Sequence, residues 1–235
     1  MSKSPGSTNQ SQVLDDVRRA LGRTRTLAPT PLDLFVEESV ATSTEEVVER
    51  FTLELTKVAG HVYRVPADNF EFAEQVAALV TKICSSSTTE VALSGGTAIA
   101  EMKLAERLSA RGLSHFVAAA TEPAEHDQLV VRLAACSAGI TAVSYAIAET
   151  GTLVLSSNEG TALLTSLLPP VHIALLRVGQ ISASLGDVIS KLDIARGEFY
   201  RSATLITGPS RTSDVELTLS IGVHGPKELH VIILE

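Results

Sequence analysis

Four groups of residues in this chain have types and spacing that could carry chemistry. The first is Ser94-Gly95-Gly96-Thr97, between a strand-like run and a helix-like one. Small residues there let backbone N–H groups close on an anion at a helix start. The plain alternative is a tight turn capped by Ser94 or Thr97. No Lys follows, so this is not a Walker loop, and it is not a full dinucleotide fingerprint. The second is Glu149, set in an apolar run just before Thr150-Gly151-Thr152. An ionised carboxylate in a buried strand costs several kcal/mol unless it is paired or faces a cavity. A strand period of two puts Glu149 on the face of Tyr145 and Ile147. It is then either satisfied by Thr150, Thr152 and turn amides, or a catalytic carboxylate poised over a cleft. Asn158-Glu159-Gly160 adds a polar turn, and Asn158 is a candidate ligand contact.

The third is Arg211, which follows Gly208-Pro209 and reads as the start of a short helix capped by Ser210 or Ser213. A cation there opposes the helix dipole by ~0.3–1 kcal/mol. Asp214 and Glu216 could offset it, or a ligand carboxylate or phosphate could through a bidentate bond. The fourth is His224, in Gly222-Val223-His224-Gly225-Pro226, on a loop whose glycines let a ligand approach. Its type suits a general acid or base, and the plain alternative is a turn histidine. His61, His115, His126, His172 and His230 show no metal-ligand spacing, so no metal site is expected.

Alternating strand-like and helix-like segments must position these groups. Ser43-Thr44-Glu45-Glu46 reads as a capping box opening a helix with Val47, Phe51, Leu55 and Val58 inward. His61 to Val65 is a strand, and Asp68 and Glu71 cap a helix carrying Phe72, Val76, Leu79, Val80 and Ile83. Further strands are expected at 90–94, 114–119, 171–178, 203–207 and 229–234. One helix spans 96–111 and is stopped by Gly112. Another starts at Thr121-Pro123, and a third is capped by Ser184. The pair Pro169-Pro170 should hold the start of the 171–178 strand off the sheet centre. This order predicts an α/β fold with a mostly parallel sheet flanked by helices. Residues 1–30 form a polar tail and short helix, and 31–235 a single domain.

Composition agrees. Of 235 residues, 45% are hydrophobic and only 4% aromatic, so Ala, Val, Leu and Ile must fill the core, which suits a sheet covered on both faces. A net charge of −8 disfavours nucleic acid and anionic membranes. No apolar run is long enough to span a membrane, and the amino end lacks the apolar core of a signal peptide. The two cysteines, Cys84 and Cys136, stand far apart, which argues against an internal four-thiolate cluster and fits a reducing, cytoplasmic location.

Three segments resemble the lactate-utilisation (LUD) domain family, in its C-type branch. They are Ala138 to Gly160, Leu205 to Glu216 (LITGPSRTSDVE), and Ile221 to Pro226 with the closing strand 229–234. Ala20-Leu21-Gly22-Arg23-Thr24-Arg25 resembles that branch's opening helix, and Ala142 departs from the Gly often found there. The resemblance implies the fold shared with ribose-5-phosphate isomerase, glucosamine-6-phosphate deaminase and CoA transferases. It further implies an accessory subunit of an iron–sulfur-dependent L-lactate oxidation system. Clusters would then sit in partner iron–sulfur lactate-utilisation proteins, with no cofactor in this chain. Ser94, Gly95, Gly96, Thr97, Asn158 and Arg211 would line a cleft for a small carboxylate such as lactate or pyruvate, with Glu149 and His224 catalytic. The competing expectation, by fold analogy, is a free-standing isomerase, deaminase or CoA transferase. A scaffold with a vestigial site is the third.

Overall fold

The structure is a computed structural model that describes residues 15–17, 19–20, 43–66, 71–84, 90–95, 97–118, 123–156, 162–191, 203–213, 219–221 and 225–235. The chain divides into two compact units, Met1–Glu37 and Glu38–Glu235. In the first, the described residues Asp15 to Val17, Arg19 and Ala20 are helical.

The second unit begins with α1 (Thr44–Lys57), and its capping box forms as the sequence predicts. Ser43 Oγ accepts from the Glu46 amide at 3.3 Å, and the Glu46 carboxylate accepts from the Ser43 amide at 2.8 Å. The buried seam is Val48, Phe51 and Leu55, so Val48 takes the place expected of Val47, which packs at the flank with Val58. Then come β1 (His61–Val65), α2 (Phe72–Ile83), β2 (Val91–Ser94), α3 (Thr97–Glu101), α4 (Leu104–Ala110), β3 (His115–Ala118), α5 (Pro123–Ala134) and β4 (Ala138–Ala142). Two expectations are corrected here. Glu71 is the N-cap of α2 but makes no side-chain cap, and Asp68 lies outside the described residues. The single helix over 96–111 is two, because Lys103 adopts a left-handed φ of 48° between them. Gly112 ends the second at φ 76°.

The remainder is β5 (Tyr145–Ile147), β6 (Thr152–Ser156), α6 (Ala162–Leu167), β7 (Val171–Arg177), a 3-10 turn (Val178–Gln180), β8 (Ile181–Ser182), α7 (Leu185–Lys191), β9 (Ala203–Ile206), β10 (Arg211–Ser213), β11 (Leu219–Ile221) and β12 (Glu228–Leu234). Six strands form an entirely parallel sheet in the order β1-β12-β7-β4-β2-β3. Strand β7 sits inside it, bonded on both sides, contrary to the expectation from the prolines. Pro169 and Pro170 precede the first ladder residue, so no ladder bond is lost, and the Pro170 carbonyl accepts from the Lys227 amide at 2.7 Å.

A second sheet, β8-β5-β6-β9, was not expected. Its β5–β6 and β6–β9 pairs are antiparallel, and it takes in the 203–206 strand that sequence assigns to the main sheet. The apolar run from Ala138 therefore serves two sheets and changes at Val143-Ser144. The Val143 amide bonds the Leu175 carbonyl of β7, and the Ser144 amide bonds the Val154 carbonyl of β6, both at 3.0 Å. No hydropathy pattern marks that crossing, since both sides are apolar. Strands β10 and β11 form a separate antiparallel pair.

Strand alternation sorts the core. Val91, Leu93, Ile140, Leu175 and Leu234 pack with α2 and α4 on one face of the parallel sheet. Leu176, Val231 and Ile233 meet α1 and the inner side of the small sheet on the other, where Ala92 also packs with Leu129 and Leu133 of α5. Gly139 lets α6 close on β4, because a Cβ there would collide with the Thr165 carbonyl oxygen.

Candidate functional site

In open parallel sheets, ligands bind beyond the carboxyl ends of the strands where the chain's direction across the sheet reverses. Here β2 leads outward to β3, while β4 leads the other way to β7. The reversal lies between β2 and β4, and Ser94 ends β2 there. Its side chain is 1% exposed, and its hydroxyl has no hydrogen-bond partner among the described residues. Buried polar groups are nearly always paired, so an orphan hydroxyl at this position points to a function or a bound water. Gly95 is exposed just beyond it, and Thr97 begins α3. Gly96 lies outside the described residues. Helix α3 has only five residues, so its dipole adds little to anion binding.

Glu149 is in the turn between β5 and β6, not on a strand, and it is half-buried. Its Oε1 accepts from the Leu185 amide at 2.8 Å, at the first residue of α7. A carboxylate at a helix start satisfies an otherwise open donor and complements the dipole. Ser184 and Asp187 complete that start: Ser184 Oγ accepts from the Asp187 amide at 3.2 Å, and Asp187 Oδ2 from the Ser184 amide at 3.0 Å. The threonines expected to satisfy Glu149 bond elsewhere, in a chain from Thr150 to Thr152 to Thr207 with both links at 2.7 Å.

Arg211 opens strand β10 rather than a helix. Its Nη2 donates to the Val58 carbonyl at 3.2 Å. Val58 is the C-cap of α1, so the cation faces the negative end of a helix dipole and is favoured, the reverse of the sequence expectation. Among the described residues no hydrogen bond or ion pair joins Ser94, Glu149 and Arg211. Asn158 and His224 lie outside the described residues, as do Asp214 and Glu216.

Sequence reasoning passed over two other arrangements. In β7, His172 is wholly buried, and one ring nitrogen meets the Thr141 hydroxyl of β4 at 2.8 Å. Burial pushes its pKa down to about 3, so the ring is neutral, and its Nδ1 has no partner among the described residues. At the amino end of β1 and β12, His230 stacks on His61 with centroids 4.7 Å apart. It also meets Tyr63 at 3.2 Å and Glu228 at 3.1 Å. Burial lowers the His230 pKa, and the Glu228 carboxylate partly opposes that. The signal for both was a histidine inside an otherwise apolar strand. Among the described residues, no cluster of three or more His, Cys, Asp or Glu side chains could hold a metal ion, and no helix is long and apolar enough to cross a membrane.

Comparison with known proteins gives a consistent result. The family model described as the LUD domain matches residues 48–234. Lactate utilization protein C of Halalkalibacterium halodurans is 36% identical over 114 residues, which is 47% of this chain and 50% of that one. The chain thus spans about half the length of that curated relative. The uncharacterized protein YkgG of Escherichia coli is 26% identical over 235 residues, covering 97% of this chain and 98% of that one. The crystal structure of a DUF162 family protein from Deinococcus radiodurans superposes with a TM-score of 0.59 at 19% identity, over 83% of this chain and 99% of that one. That likeness extends to the fold.

Proposed function

This chain belongs to the LUD domain family, and from that premise we propose that it serves lactate utilisation as an accessory subunit of an iron–sulfur-dependent L-lactate oxidation system. The observation that carries this reading is the family match over residues 48–234, together with relatives that bear the name lactate utilization protein C. The thiols support placing the clusters in partner proteins. Cys84 packs with the α2 face of the parallel sheet and Cys136 with the α5 face, so the two cannot meet at one site. Burial pushes both pKa values up to about 11, as for inert structural thiols.

Within that role, the small carboxylate binds at the carboxyl end of β2. Ser94 Oγ donates to a carboxylate oxygen, and Gly95, having no side chain, admits it. The orphaned hydroxyl at the reversal point supports this placement.

Growth tests the role. Deletion of the gene abolishes growth on L-lactate but not on pyruvate, and the wild-type chain restores it. Equal growth of the deletion strain on L-lactate would reject the proposal. Ser94→Ala then separates site from role: it restores protein level but weakens lactate or pyruvate binding if the hydroxyl contacts the ligand.

A further inference from the structure

A cleft opens at the carboxyl edge, on the opposite face of the parallel sheet from the Ser94 side chain. Its volume is about 440 Å³, and its lining includes Phe72, Met102, Arg177, Gly179 and Leu234. Leu234 and Arg177 are the last, register-paired residues of β12 and β7. Met102 and Leu234 are buried and belong to the apolar core beneath, so the floor is hydrocarbon. The rim is fixed by Gln180. Its side chain accepts from the Arg177 amide at 2.8 Å and donates to the Val143 carbonyl at 2.7 Å, tying the end of β7 to the end of β4.

The charges at this rim select a ligand class. Glu235 is held by Arg64, which also forks onto Glu45 at 2.7 and 3.0 Å. Among the described residues Arg177 pairs with Glu101, at 3.0 Å, with the two side chains 56% and 65% exposed. Ion pairs so exposed are weak, so an incoming carboxylate can replace Glu101 on the guanidinium while Glu101 turns to water. Arg177, which lines the cleft, stands between two carboxylates, Glu101 and Glu235, so it can answer one incoming negative charge but not a polyphosphate. The volume lies in the range of about 300–1,000 Å³ typical of small-molecule pockets, larger than a three-carbon acid requires.

We propose that this cleft binds an amphipathic monocarboxylate, with its hydrocarbon on Phe72, Met102 and Leu234 and its carboxylate on Arg177. The inference does not rest on the lactate reading, since it concerns another face of the sheet and a ligand with an apolar body.

Calorimetric titration with butyrate, hexanoate and octanoate tests it. Affinity rises about three- to fourfold for each added CH₂ that is buried. Arg177→Gln lowers octanoate affinity about tenfold or more by removing the charge-assisted bond. Gly179→Leu lowers octanoate affinity: Gly179 lines the cleft, and a Cβ there meets no atom within 4 Å, so the larger side chain is added without a backbone clash. Thermal melting of both variants at the wild-type temperature shows that the fold is intact. The proposal is overturned if octanoate does not bind, if affinity ignores chain length, if the folded variants bind like wild type, or if ATP binds more tightly than octanoate.

Discussion

The parallel sheet and the small mixed sheet share one continuous segment, Ala138 to Ser156, and they treat polar groups in opposite ways. Around the small sheet the polar groups of Glu149, Thr150, Thr152, Ser182 and Thr207 each have a partner. Glu149 holds the start of α7, and Thr150, Thr152 and Thr207 bond in series. In the parallel sheet, Ser94 Oγ and His172 Nδ1 are buried without partners among the described residues, and Arg177 stands at an open rim with one weak partner. Chemistry needs groups that are not already satisfied. Of the described residues singled out in the sequence, Glu149 and Arg211 hold elements together and Ser94 stays unpartnered, while His172 sits in a strand that reads as a plain apolar run.

Substitutions and pH can break or sharpen that contrast. The largest effect belongs to His172. Its folded pKa of about 3 lies below the ordinary 6.5, so the unfolded chain binds the proton more readily. Stability is therefore complete above pH 6.5 and falls as pH drops toward 3, by about 3 kcal/mol at pH 4.5. His230, lowered in the same direction, adds to the slope. Urea unfolding at pH 7 and pH 4.5 measures this, and His172→Gln flattens the difference. A slope of the same size in the variant would assign it to other groups.

Gly139→Ala comes next. Forcing a Cβ against the Thr165 carbonyl must displace α6 from β4, at about 1–3 kcal/mol by urea unfolding. Wild-type stability would mean that the helix yields freely. Glu149→Gln replaces a charge-assisted helix cap with a neutral one and costs about 0.5–1 kcal/mol. Hydrogen exchange should quicken at the Leu185 to Val188 amides first. Arg211→Ala is the smallest, about 0.3–1 kcal/mol for a cation at the end of α1. It leaves lactate and pyruvate titrations unchanged. A loss of affinity without loss of stability would restore Arg211 as a ligand contact and undo the contrast.

Much of this fold was legible in the sequence because local rules and tertiary structure agree. The Ser43 box, the ends of β1 and β2 and the stop at Gly112 each follow from a residue type acting on its own neighbourhood. The second sheet was illegible because Val143-Ser144 changes partner without changing hydropathy. The break at Lys103 was hidden because a lysine rarely adopts positive φ. At the candidate site, Ser94 and Gly95 could be found from a strand-to-helix turn. The partners of Glu149 and Arg211 are 36 and 153 residues away in the chain, beyond the reach of any local pattern. His172 and Arg177 were passed over because each lies in a strand whose other residues signal only packing.

The proposed role places this chain in an iron–sulfur lactate oxidation system without its holding the cluster itself. It is tested most directly by L-lactate-dependent dye reduction and iron content in material captured on the tagged chain from its own cells, with the purified chain assayed alongside. The account predicts both activity and iron in the captured material and neither in the purified chain. Captured material with neither, or a purified chain that oxidises lactate unaided, would contradict it.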